Sequence, residues 1–110
     1  MLKKKQRLSK RQFDMFFRAG KRLHTPLFQV IYTKTEDFHG VVVVGKKVHK
    51  RAVDRNLLRR RVYNILYRLS QDKDLNGVYI IIAKPPAAGA DFVTLKHAIT
   101  SLIDELATKN

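Results

Sequence analysis

The sequence predicts one α+β domain, an α-β sandwich with helices packed on a small mixed sheet, and three patterns lead to it. Two stretches carry apolar residues at helical spacing: Leu58, Val62, Ile65, Leu66 and Leu69 in one, and Leu95, Ala98, Ile99, Leu102, Ile103 and Leu106 in the other. Three short runs rich in β-branched and aromatic residues have the length of strands. A chain of 110 residues, 45% of them apolar, is enough for one core and too short for two ordinary domains. The division expected is a basic N-terminal arm, residues 1–8, and a single domain, residues 9–110.

Taken in order, Ser9 reads as the cap of a first helix, with Gln12 three residues on for a capping box and Leu8 and Phe13 placed for a hydrophobic staple. Gly20 is the expected C′ stop. Phe13, Phe16 and Phe17 share one face; Phe16 is read as a core anchor. Phe13 and Phe17 are either anchors too or leave a ring edge or face open for a base. After a polar link with Pro26, residues 27–33 form a strand in which Phe28, Val30 and Tyr32 point one way and Leu27, Gln29, Ile31 and Thr33 the other; Tyr32 is by default a partly buried strand residue, the alternative being a third stacking surface beside Phe13 and Phe17. His24-Thr25 either extends the pairing or merely turns. Residues 36–40 read as a turn and Val41–Val44 as a β-branched strand ending at Gly45. The basic helix follows and ends near Ser70; Asn76-Gly77 marks a turn into the strand Val78–Ala83. Residues 84–90 read as a loop, and the last helix starts from a cap at Asp91 or Thr94. The order expected is α-β-β-(β)-α-β-α.

Net charge is +14, and its distribution says more than its size. Residues 1–34 carry ten basic and one acidic side chain, 35–70 nine and three, and 71–110 four and five. A polyanion therefore meets the first two thirds, and nucleic acid is the leading candidate. The charge peaks at Lys46, Lys47, Lys50, Arg51, Arg55, Arg59, Arg60 and Arg61, with Asp54 the one acid among them. Five of these precede or open the helix, where the macrodipole disfavours cations; a bare helix gains nothing from that arrangement, whereas phosphate would be held by it. Asn56 is either a first-turn polar residue or an uncharged hydrogen-bonding partner for RNA. His49 either touches phosphate or, the favoured reading, is a solvated loop residue. A membrane surface would require exposed apolar residues on an amphipathic helix, and those here are claimed by the core. The Lys3-Lys4-Lys5 start is not followed by an apolar run, so a cytoplasmic protein is expected.

Chemical equipment is not visible. The carboxylates are scattered, the four histidines lack ligand spacing, there is no cysteine, and the glycines form no phosphate loop. No metal site, no cofactor bound by the protein alone and no obligate protein partner are expected.

The residues together resemble the bacterial ribonuclease P protein subunit. The resemblance lies in Arg7-Leu8, in Phe13, Phe17 and Gly20, in Tyr32, in Lys46-Lys47 after a valine-rich strand, in Arg55-Asn56-Leu57-Leu58-Arg59-Arg60, and in Tyr79–Pro85 before the last helix. It spans about residues 5–107. Leu57 stands where the family has a second arginine and Tyr63 where a basic residue is common, so contacts at those positions are not carried over; Arg61 supplies some of the missing charge. The resemblance implies a left-handed β-α-β crossover at the basic helix, against the usual hand. It implies a catalyst that is an RNA holding its own Mg²⁺ and cleaving precursor tRNA at the 5′ end, with the protein as accessory subunit. Lys46, Lys47, Lys50, Arg51, Arg55, Asn56, Arg59, Arg60 and Arg61 would meet the ribonuclease P RNA. Phe13, Phe17, Tyr32 and Arg7 would hold the single-stranded 5′ leader. The alternative from composition is a ribosomal or general RNA-scaffolding protein.

Overall fold

The computed structural model describes residues 8–109; the expected basic arm up to Arg7 lies outside them. Helix α1 (Lys10–Ala19) is followed by strands β1 (Lys21–His24), β2 (Phe28–Thr33) and β3 (Phe38–Val43), helix α2 (Ala52–Asp72), strand β4 (Gly77–Ala83), a 3₁₀ turn (Pro85–Gly89) and helix α3 (Phe92–Lys109). The sheet order is β1-β2-β4-β3. β2 pairs antiparallel with β1 and with β4, whereas β3 runs parallel to β4, so α2 is the crossover joining two parallel neighbours.

Alternation along the strands gives the sheet two buried faces. Phe28, Val30, Tyr32, Tyr79 and Ile81 face α2 and α3, whose apolar stripes supply Leu58, Val62, Leu66, Leu95, Ile99 and Leu102 to the main core. On the other face Ile31, Val78 and Ile80 are covered by Phe13, Phe16 and Phe17 of α1. Both helical stripes and the inward set of β2 are buried as the spacing predicts.

Ser9 caps α1 as expected: its hydroxyl accepts from the Gln12 N–H at 3.2 Å, and the Gln12 side chain accepts from the Ser9 N–H at 3.0 Å. Gly20 does end the helix, but not in the left-handed conformation of a C′ glycine. Its φ is −73°, and glycine is required because a Cβ would collide with the Ile31 side chain and lie 2.9 Å from the Phe16 carbonyl oxygen.

Three local readings need correction. Lys21–His24 is an edge strand, not part of a polar link; its charged side chains give little strand signal and protect an edge. The expected turn at 36–40 is half strand, since Phe38 begins the parallel ladder against Gly77 and its ring packs 5.8 Å from that of Tyr79. The expected loop at 84–90 contains a 3₁₀ turn, started by two prolines whose fixed φ suits a first turn.

Asp91 is the cap of α3: its carboxylate accepts from the Thr94 N–H at 2.8 Å. That bond, with one from the Thr94 side chain, holds the Asp91 carboxyl below its ordinary value of 3.8. A depressed folded-state pKa contributes stability above the unfolded value and loses it as the pH falls through the folded one. Asp91→Ala is therefore expected to melt below the unsubstituted protein at neutral pH, and the gap should narrow as pH falls through 3.8 and below. A gap independent of pH in thermal melts would show that the charge of Asp91 has no part in the cap.

Candidate nucleic-acid interface

Arg51 occupies the N-cap of α2 and makes no side-chain cap bond, so the first-turn N–H groups keep their hydrogen-bonding capacity. Lys46, Lys47, Lys50 and Arg51 stand exposed in front of them, and Asp54 is the one acid in the first turn. Among the described residues, none of the cations from Lys46 to Arg68 is in an ion pair; the pair that does form, Lys73 to Asp104 at 2.9 Å, lies beyond the far end of α2. Unneutralised cations facing an uncapped helix start make a surface that attracts phosphate.

Two contacts give this surface a fixed shape. The Arg55 guanidinium donates to the backbone carbonyls of His49 at 3.1 Å and Lys50 at 2.7 Å, tying the preceding loop to the helix. Arg59 donates to the Asn56 side-chain oxygen at 2.6 Å, so Asn56 orients an arginine. Asn56, Arg59, Arg60 and Tyr63, spaced along one helical face, line a shallow basin. Arg61 is carried on a different face, away from that basin.

On the opposite side of the sheet, Phe13 and Phe17 are half buried and their rings stack 5.6 Å apart. Arg22 of β1 sits 4.9 Å from the Phe17 ring centre and donates to the Phe17 carbonyl at 2.9 Å. The register places His24, Gln29, Ile82 and Val43 in one row across this face, and none of the four is fully buried. The result is an aromatic and cationic strip beside a partly open sheet.

Tyr32 does not belong to that strip. Alternation along β2 puts it on the α2 and α3 face, 8% exposed, with its ring 4.9 Å from that of Tyr79. Of the two readings of Tyr32, a strand residue within the core or a third stacking surface beside Phe13 and Phe17, its burial and the two-residue period of the strand favour the first. Burial also pushes the Tyr79 phenol well above the ordinary tyrosine range, with Tyr32 adding to the effect, and its O–H donates to the Asn76 carbonyl at 3.0 Å. Arg7 lies outside the described residues.

Sequence reasoning missed Arg22 and a recess at the start of α2. The signal for Arg22 was its alternation with Leu23 in a short strand. The recess is lined by Asp54, Leu57, Leu58 and Arg61, at i, i+3, i+4 and i+7 on one helical face, together with His49, Ala88 and Ala90. Only the helical half of that set is visible in the sequence. Among the described residues no three His, Asp or Glu side chains come together as metal ligands would, and no helix is long and apolar enough to cross a membrane.

Comparison with known proteins gives one consistent result. The family model described as Ribonuclease P matches residues 2–107. The ribonuclease P protein component of Nitratiruptor sp. is 34% identical over 98 residues, covering 89% of this chain and 88% of the relative. That of Geotalea uraniireducens is 34% identical over 107 residues, covering 94% and 92%. Among solved structures, the RNase P protein from Thermotoga maritima superposes with a TM-score of 0.73 at 26% identity, covering 87% of this chain and 93% of that one. The RNase P protein of Staphylococcus aureus superposes with a TM-score of 0.75 at 18% identity, covering 92% and 94%, a likeness of fold.

Proposed function

The chain belongs to the ribonuclease P protein family, the protein component of a tRNA-processing enzyme, and on that premise we propose that it binds the ribonuclease P RNA through α2 and its preceding loop. The observation that carries the reading is the row of unneutralised cations, from Lys46 to Arg61, set against an uncapped helix start. In this reading the chemistry is done by the RNA with its own Mg²⁺. The protein's cations share the screening of crowded phosphates and so lower the Mg²⁺ the RNA needs. The strip of Phe13, Phe17 and Arg22 takes the single-stranded 5′ leader of precursor tRNA: bases stack on the rings and Arg22 meets a phosphate.

The test is 5′ cleavage of a labelled precursor tRNA by a bacterial ribonuclease P RNA at limiting Mg²⁺, with and without this protein, beside a protein-only control. Stimulation that requires the RNA is expected. No stimulation, with the RNA active at high Mg²⁺, would overturn the reading. For the leader strip, Phe17→Ala is expected to weaken binding of leader-bearing precursor about tenfold, in the range of one lost base–aromatic stack, and to spare mature tRNA. Equal losses on both RNAs would remove the leader from this strip.

A further inference from the structure

We propose that the recess at the start of α2 seats one unstacked guanine of a bound RNA. The inference rests on the RNA-binding reading of α2 and adds a base-specific site to it.

The recess is a notch with apolar walls and a polar rim beside the most basic segment of the chain. Leu57 is 48% exposed there and its neighbour Val53 60%, although the same turns of the helix carry Arg51, Asp54, Arg55, Asn56 and Arg60. Exposed aliphatic groups beside unpaired cations suit a ligand that is flat and apolar at one end and anionic at the other, which describes a nucleotide. Leu57 and Leu58 form one wall and Ala88 and Ala90 the other, their small side chains leaving room for a ring. Arg61 and His49 stand at the same recess as donors for the adjoining phosphate. The notch shares two turns of α2 with the basin of Asn56, Arg59 and Arg60 but lies on a different face of the helix, so the base site is separate from that basin.

Asp54 selects the base. Among the described residues its carboxylate has no ion pair or hydrogen bond, despite the cations around it. An ionised carboxylate only accepts. Guanine presents two adjacent donors, the ring N1–H and the exocyclic N2 amine, and can satisfy both carboxylate oxygens. Adenine and cytosine set a ring acceptor beside their single exocyclic donor, and uracil flanks its one donor with two acceptors, so each brings a lone pair against the carboxylate.

Guanosine monophosphate is the probe, titrated into the isotope-labelled full chain and followed by nuclear magnetic resonance, with adenosine monophosphate and inorganic phosphate for comparison. The guanine nucleotide is expected to move the signals of Leu57, Ala88 and Ala90. The adenine nucleotide should do so at least about fivefold more weakly, the lower end of what one bidentate pair discriminates. Phosphate should move Arg61, His49 and the cations at the helix start, and leave Leu57, Ala88 and Ala90 unmoved. Asp54→Asn, which exchanges one acceptor for a donor, should remove most of the preference and keep the phosphate response. Leu57→Lys, at an exposed position, should abolish nucleotide shifts at Ala88 and Ala90 with Asp54 in place. Equal responses to the two nucleotides, shifts that leave Leu57, Ala88 and Ala90 unmoved, or an undiminished preference in Asp54→Asn would each overturn the site. If the RNA-dependent cleavage test succeeds while the notch stays silent, the base site alone is wrong; a responsive notch without stimulated cleavage retires the ribonuclease P reading alone.

Discussion

Replacing Arg59 and Arg60 together by Ala is expected to weaken binding of ribonuclease P RNA by about 10- to 100-fold near physiological salt, and to flatten the logarithmic salt dependence by about one and a half units. Each phosphate contact releases condensed counterions, so a lost contact shows in the slope as well as the intercept. Arg60 is exposed and Arg59 is bound only to Asn56, an uncharged group that positions its guanidinium without neutralising it. Neither spans an interior that its loss would open, and the buried stripe of Leu58, Val62 and Leu66 stays intact. The folded state should survive, and circular dichroism would check that. Asn56→Ala should reproduce a smaller part of the affinity loss with little change of slope, because it frees an arginine without removing one. A slope unchanged in the double variant would take the phosphates away from this face of α2.

Gly77→Ala is expected to cost about 3 kcal/mol of stability, seen as a fall of roughly 10 °C or more in melting temperature. Gly77 has φ = +106°, a conformation in which any Cβ is strained, and that Cβ would lie 2.6 Å from the Tyr32 ring and 2.9 Å from the Thr33 carbonyl oxygen. The Tyr32 ring has little room to retreat, since it rests on Tyr79, which is itself held by its bond to Asn76 and by Phe38. Gly45→Ala is the comparison, with nothing within 4 Å of the new methyl group; it should melt close to the unsubstituted protein. Equal melting temperatures for the two variants would mean that the sheet start at Gly77 yields easily.

The elements that sequence reading found were those whose burial repeats with a period. The stripes of α2 and α3 and the inward set of β2 all carry their own evidence in spacing, and the Ser9 cap is a local chemical pattern complete within four residues. The elements it missed owe their structure to a distant partner. Lys21–His24 is a strand because β2 offers it an edge, and Phe38 extends β3 because β4 and Tyr79 lie beside it. The basic interface was legible because it occupies one continuous segment. The aromatic strip was legible only in part: alternation in β2 separates Tyr32 from Ile31 and so from Phe13 and Phe17, whereas Arg22 joins the strip from a strand with little signal of its own. The recess at α2 needs His49, Ala88 and Ala90 from two other segments, and no spacing along the chain brings those together.

The sheet order bears on how the chain is made. β2 and β3 are not neighbours in the sheet; β2 has β1 beside it, but β3 waits for β4, which is translated after α2. At roughly 5–20 residues per second, about two to eight seconds separate the synthesis of β3 from that of its neighbour in the sheet. For that interval a valine-rich segment has no ladder to join, and the lysines and arginines that follow it are of the kind that opposes association of unpaired strands. The cations proposed above to meet RNA thus have the placement of gatekeepers, flanking a strand that is made before its partner.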